Sequence, residues 1–569
     1  MRSKLYYILF LALAGIMMAA ALVTVRESAY FQPFKTASGT GDGGTENSFI
    51  QVVSRESFEE RRQSLPEADF SPSDYLWRGG PAACDREKAS VYLPCNVSAL
   101  TDLFAGLMPS APRSIIYVCR DEKMEDPAAA VAEGYAFEAL LVSGQHVQAF
   151  HIILTGLPAL CIEKTDREEI LNKEEHEGRL RYIPLDQTDA GTDFSEVSDL
   201  SEAAPDALLK CTFHVRGNVS SGMDKKPYKI SLTNGAGEKM KVSLGGLRAD
   251  DDWILNPLYT DQSRVREMTA YTLWDRVSAF SDSPQASSRM RYVEVFLDHS
   301  YQGIYGLMEP VDGTQLGLSP GDLLYKIDRW DREYPYIDLY EESEGKTEIY
   351  NDYGFPCVEI RYPIAWDPSA DWSPMQAFHE FSFRTKDPRS LTTAGLETDI
   401  DSVVTLSLYC AMTHAMDNNW KNSFLIAKQT DGGGYQLFRT IWDLNYVFGD
   451  VFIFEPDEKY TVFDPKTASG YIPCEDSTYD FEAFLQADLS LEGSLADKWA
   501  VWRKGGISAD SICQDARAHM SRLTESGALA REMERWPQQK NCAEALDEME
   551  EWIRARFAYL DERYGWNAR

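Results

Sequence analysis

The chain has 569 residues, 44% hydrophobic and 26% charged, a globular composition that excludes collagenous, mucin-like and wholly disordered proteins. Its 90 Asp and Glu outweigh 56 Lys and Arg, leaving a net charge of −34. Such a surface repels phosphate backbones, so no nucleic-acid partner is expected.

Arg2 and Lys4 precede an uncharged run from Leu5 to Val25, closed by Arg26. As a helix this run is roughly 31 Å long, enough to cross a bilayer. The leading cations place everything after it outside the cytoplasm. Ala19 to Ala21 offer a cleavage site, but no polar segment follows. Residues 1–26 therefore read as a signal-anchor in preference to a cleaved signal peptide. The expected location is extracytoplasmic: membrane-anchored, or secreted if the segment is removed. Residues 36–48, TASGTGDGGTENS, have the composition of a tether. The whole stretch 27–79 is assigned to it, with a short charged helix at 54–65.

From 80 to 155, short apolar runs alternate with turn residues and predict a small β-rich region. Its strands are Ser90–Leu93, Ser114–Cys119, Ala136–Val142 and Val147–Leu154. Residues 165–209 form a polar connector with one strand at Leu180–Ile183. The ten cysteines include no C-x-x-C pair and no zinc spacing. Cys84 and Cys95 are close enough in sequence to form a disulfide in an oxidising compartment, the alternative being buried thiols.

A second region opens with strands at 211–217 and 228–232. Val265, Met268, Tyr271, Trp274 and Val277 recur at threes, predicting an amphipathic helix over 264–277. Strands at 292–298 and 303–312 pair through a turn at 299–302. Residues 330–380 read as an irregular acidic and aromatic insert, Ile400–Ala415 as an apolar helix, and Ala509–Tyr564 as a helical tail.

The densest chemistry lies in 417–449, DNNWKNSFLIAKQTDGGGYQLFRTIWDLNYVFG. Asp417 and Asn422 are five apart in a loop. Strands Ser423–Lys428 and Tyr435–Trp442 are joined by the turn Thr430–Gly434, so the hairpin should return Asp443 beside Asn422. Phosphoryl transfer to a hydroxyl uses such parts: a carboxylate that accepts the substrate proton, and an Asn and an Asp that hold the metal on the phosphates. In RGNVSSGMDKKPYKI (216–230), Arg216, Lys225, Lys226 and Lys229 cluster in an otherwise acidic chain, suggesting an anion site. Met223 stands where a P-loop requires Lys, which excludes that motif.

RGNVSSGMDKKPYKISL, GIYGLMEPVD, DNNWKNSFL and WDLNYVFG, in this order, resemble the CotH family of spore-coat-type kinases. LPALCIEK (157–164) is similar to the family's opening strand and EEWIRARFAYLDERYG (550–565) to its closing helix. The resemblance implies an α+β chain: a divergent protein-kinase-like fold over 156–569, preceded by the β-rich region and the anchor. It implies an atypical Ser/Thr kinase using ATP with Mg2+ or Mn2+. Carried onto this sequence, Asp417 is the expected general base, and Asn422 and Asp443 the expected metal ligands. Arg216 and either Lys226 or Lys229 become the phosphate contacts, strand direction favouring Lys229. Glu309 orders the nucleotide pocket or ends a strand. Two departures stand out: Glu267 where the family tends to have Asn, and Leu444 and Asn445 after Asp443 in place of a second Asp.

The expected substrate is a basic, Ser/Thr-containing surface or spore-coat protein drawn to the acidic body. The alternatives are a kinase-like scaffold acting in adhesion or coat assembly without turnover, and a kinase of a small hydroxylated molecule.

Overall fold

Alternating apolar residues build sheets from the first described residues onward. The computed structural model describes residues 49–566 except 97–102, 167, 171–172, 186–191, 194–207, 218–219, 284, 330–347, 351–355, 364–370, 451–463, 467–476 and 538–540. The expected anchor and the segment 36–48 lie outside the described residues. Among the described residues, no helix is long and apolar enough to cross a membrane.

The β-rich region is a six-stranded sheet that takes in more of the chain than its apolar runs predict. Its edge strand is Ile50–Val53, parallel to Ile115–Cys119. A helix follows at Arg55–Ser64, capped by the Ser54 hydroxyl, with Phe58 as its buried anchor. The short charged helix expected at 54–65 is thus present, but residues 49–79, otherwise read from sequence as tether, are partly folded onto this sheet. The suggested Cys84–Cys95 bridge is corrected: both are buried free thiols. Strand register places Val91 opposite Cys84, so Cys95 lies four residues farther along, roughly 13 Å away.

A closed seven-stranded barrel follows. Its strands are β1 (Ala159–Lys164), β2 (His176–Ile183), β3 (Leu209–Val215), β4 (Tyr228–Thr233), β5 (Asp252–Asn256), β6 (Met290–Leu297) and β7 (Ser300–Met308), in the order β1-β2-β3-β4-β5-β7-β6. Strict alternation sends Cys211, Phe213, Val215, Tyr228, Ile230 and Leu232 into the barrel core. Helix α1 (Arg266–Ser278) packs outside the barrel in a larger core.

That larger core is shared with a second sheet: β8 (Leu323–Ile327), β9 (Glu348–Tyr350), β10 (Pro356–Tyr362), β11 (Leu396–Thr398), β12 (Ser423–Gln429) and β13 (Tyr435–Ile441), ordered β9-β10-β8-β12-β13-β11. The 330–380 stretch, expected to be irregular, supplies β9, β10 and a helix at Ser373–Glu380. Buried Cys357, Val358 and Ile360 carry β10, a pattern masked in sequence by flanking prolines and acids. Helix α2 (Ile400–Thr413), capped by Asp399, crosses α1, with Trp274 edge-on to Tyr409 at 5.0 Å. The tail forms α3 (Ala509–Glu525), α4 (Ala528–Arg535) and α5 (Cys542–Arg563).

Helix α4 fastens this tail to the barrel through Glu532. Its carboxylate accepts from Lys225 Nζ at 2.7 and 2.9 Å, Arg264 Nε at 3.0 Å and the Ile304 N–H at 2.8 Å. Glu532, Lys225 and Arg264 are all fully buried. Glu532→Ala leaves two cations without their shared counter-ion. The expected cost is about 3–5 kcal/mol, read as a fall in the urea midpoint at unchanged slope.

Candidate active site

The site forms where the β12–β13 hairpin opens. Cross-strand pairing ends at Ser423 and Ile441, and the Trp442 N–H then donates to Asn422 O at 2.9 Å. Asn422 and Asp443 are therefore neighbours across the hairpin mouth. Both adopt left-handed backbone, with φ of +53° and +57°, a conformation that turns their side chains out of the strand direction and is tolerated best by Asn and Asp. Buried Asn418 stabilises the arrangement: its Nδ2 donates to Asn422 O at 2.9 Å and to Trp442 O at 2.6 Å. Beneath it, the buried Arg439 guanidinium bonds Asp480 Oδ2 at 3.1 Å and lies over the rings of Phe378 and Trp420. Trp420 is the apolar anchor of the DNNWKN loop.

Asp417 sits in the short turn Met416–Asn418. Its Oδ2 accepts from Lys421 Nζ at 2.7 Å and from Asn422 Nδ2 at 3.0 Å. The carboxylate is thereby aimed by a cation and an amide from its own loop. Because Asn422 donates through nitrogen, its amide oxygen is the group left for a cation. Burial, followed by the charge of Asp417, pushes the Asp443 carboxyl up, while Lys421, Arg216 and Lys326 pull it down. The Asp443 N–H donates to Tyr271 Oη of α1 at 3.1 Å.

Arg216 arrives from the barrel, at the exit of β3. Gly217 follows with φ +89°, and a Cβ there would stand 2.2 Å from Ser220 Oγ, so the turn that releases Arg216 requires glycine. The guanidinium lies over Trp442 at 5.7 Å. Burial pulls its pKa down, against the opposing pull of Asp443. The structure thus brings together Asp417, Asn422, Asp443 and Arg216. It gives the other three expected residues other partners. Lys226 Nζ donates to Ser221 O at 3.0 Å, and Lys229 pairs with Asp252 at 3.0 Å. Buried Glu309 stands with Arg248, at 3.4 Å, in a group that includes Asp250 and Asp312.

Side chains that sequence reasoning passed over complete the site: Asn418, Lys421 and a cluster on β8 and β10. Lys326 pairs with Asp328, and Arg361 with Glu359 at 3.2 Å. Burial and Glu359 push Asp328 up. Glu359 is held down despite its burial by Lys326 and Arg361. A lone Lys in the apolar run LLYKI was the available signal.

Asp443 and Asn422 present one carboxylate and one amide oxygen, hard donors suited to Mg2+ or Mn2+. Among the described residues, no group of three or more His, Cys, Asp or Glu could hold a metal. Two protein oxygens alone fit a cation that takes its remaining ligands from phosphates and water. A carboxylate held by Lys421 and Asn422, two hard oxygens and nearby cations are chemically suited to a metal-bound phosphate. The family model for CotH kinase protein matches residues 213–560, well over half of the chain, and the chain belongs to that family. No individual curated protein matches it.

Glu267, the departure on α1, accepts from Asn256 Nδ2 at 2.8 Å. Burial, then the charge of Asp443, pushes its carboxyl up to about 8. The folded state therefore holds a proton that the unfolded chain releases near pH 4.5, and stability is lost as pH rises from there through 8. Glu267→Gln keeps the acceptor for Asn256 without the charge. In EDTA, its Tm should exceed that of the natural chain by about 2 °C or more at pH 8 and converge with it at pH 5.

Proposed function

We propose that this protein is an extracytoplasmic, ATP-dependent Ser/Thr protein kinase, anchored by its N-terminal segment and acting on a basic surface or spore-coat protein. The observation that carries the reading is the hairpin mouth, where Asp417, Asn422, Asp443 and Arg216 converge within a chain of the CotH kinase family. The topology supports a divergent kinase-like arrangement, with a β lobe bearing one helix, followed by an apolar helix, a catalytic loop and a hairpin.

In this reading Asp417 accepts the proton of the substrate hydroxyl as its oxygen forms the new bond to the γ-phosphorus and the bond to ADP breaks. Lys421 and Asn422 keep Asp417 aimed. A divalent cation seated on Asn422 and Asp443 would neutralise charge on the phosphates, and Arg216 adds a fixed positive charge. The net charge of −34 favours basic peptides on approach, and Arg2, Lys4 and the apolar run after them support the extracytoplasmic placement.

The test is Mg- or Mn-dependent transfer of the γ-phosphate by the full-length chain to a basic Ser-rich peptide, with a hydroxylated metabolite mixture alongside. Asp417→Ala and Asp443→Ala should each lower kcat by about 100-fold or more with the fold retained, read by circular dichroism. Label on the metabolites alone would make it a small-molecule kinase. Absence of both transfer and metal-dependent nucleotide binding would make the fold a scaffold.

A further inference from the structure

The cations that sequence pattern nominates for the phosphates do not all reach the site. Of Arg216, Lys226 and Lys229, Arg216 is the one among the main charges acting on Asp443, while Lys226 and Lys229 are held by Ser221 and Asp252. A nucleotide triphosphate bound through a cation on Asn422 and Asp443 carries more negative charge than Arg216 alone offsets. Besides Arg216, the cations acting on Asp443 include Lys421, already committed to Asp417, and Lys326.

Lys326 is well placed for it. Strand β8 lies beside β12, with Lys326 paired to Phe424, and the Asn422 N–H donates to Ile327 O at 2.8 Å. The lysine is thus tied by backbone bonds to the strand that presents the expected metal ligand. It also faces Glu359 across β10 and shares an ion pair with Asp328. Its side chain is only 11% exposed, so water screens it poorly. The Asp328 carboxyl also shares a side-chain hydrogen bond with Glu359. An ammonium has three donors and can keep Asp328 while donating to a phosphate oxygen.

We propose that Lys326 is the lysine that binds the nucleotide phosphates, held ready by Asp328, in place of either Lys226 or Lys229. The proposal rests on the kinase reading above. Arg216 from the barrel, which acts on Asp328 and Glu359 as well as on Asp443, and Lys326 from the second sheet then bear on the same phosphates.

Calorimetric titration of the full-length chain with Mg-ATP tests it. Lys326→Gln should weaken binding about 10–100-fold, Lys326→Arg should restore most of the loss, and Lys226→Gln and Lys229→Gln should stay within about twofold of the natural chain. Since Lys326→Gln leaves two acids uncompensated, the double variant Lys326→Gln with Asp328→Asn removes both charges and should show the same weakening at unchanged Tm. If both Lys326 variants bind Mg-ATP like the natural chain while Asp443→Ala does not, Lys326 has no phosphate role and the kinase reading stands. If Lys229→Gln or Lys226→Gln carries the loss instead, the proposal is likewise overturned. A natural chain that binds no Mg-ATP removes the kinase reading and this proposal with it.

Discussion

Everything at the hairpin mouth depends on one side-chain amide. Asn418 donates to the carbonyls of both Asn422 and Trp442, the residues on either side of the last backbone bond of the β12–β13 ladder. Two left-handed residues in succession across a hairpin would fray unless their carbonyls were satisfied. With the amide in place, Asn422 and Asp443 leave the sheet in fixed directions. An Ala or Leu at 418 would fill space but leave two buried acceptors short of donors. The distance between the cation seat and the proton acceptor is therefore set by backbone geometry, and long side chains only refine it.

The electrostatics follow a second constraint. The chain is strongly acidic, yet several of its buried cations stand at joints between elements. Lys225 and Arg264 meet Glu532 where α4 reaches the barrel. Arg439 meets Asp480 under the Asp417 loop, and Arg531 meets Glu294 near the N-terminal sheet. Each joint has good geometry, and each would be strongly destabilising if only one partner were removed. At the candidate site acids and cations are interleaved, and burial pushes Asp443 and Asp328 up. Burial raises Asp250 and Glu309 in the same way where they gather around Arg248.

How much of this could be read in advance depended on whether the signal was local. The hairpin was legible because a Gly-rich turn between two apolar strands fixes its own return, and the placing of Asp443 beside Asn422 follows from strand geometry alone. Helix α1 and the barrel strands β3, β4, β6 and β7 were legible from periodicity, whereas β5 drew no reading. The fate of Lys226 and Lys229 was not. Alternation correctly put Lys229 outside the barrel, but which partner waits there is decided by β5 bringing up Asp252, and no pattern within 216–230 contains that information. Lys326 was missed for the converse reason: it lies in a stretch with no motif, about 90 residues before the loop it serves, and reaches the site only through pairing of β8 with β12. The Cys84–Cys95 bridge failed on register, which sequence proximity does not reveal.

The same dependence on pairing bears on where the functional domain begins. The family match starts at residue 213, inside β3, whereas the barrel closes through β1 lying parallel to β6 and antiparallel to β2. Without β1 and β2, the edges of β3 and β6 would be open, and the face behind Arg216 would lose its support. The N-terminal sheet is joined in turn: Arg531 Nη2 donates to Thr155 Oγ1 at 2.7 Å and to Glu294 Oε2 at 2.9 Å, and Tyr92 stacks on Tyr301 at 5.5 Å. Thr155 ends a strand of that sheet, Glu294 lies on β6 and Arg531 on α4. One buried network therefore links the N-terminal sheet, the barrel and the C-terminal helices. The sheet acts as a structural wall of the barrel, and the unit that must stay intact to present the site extends well upstream of the residues that carry its chemistry.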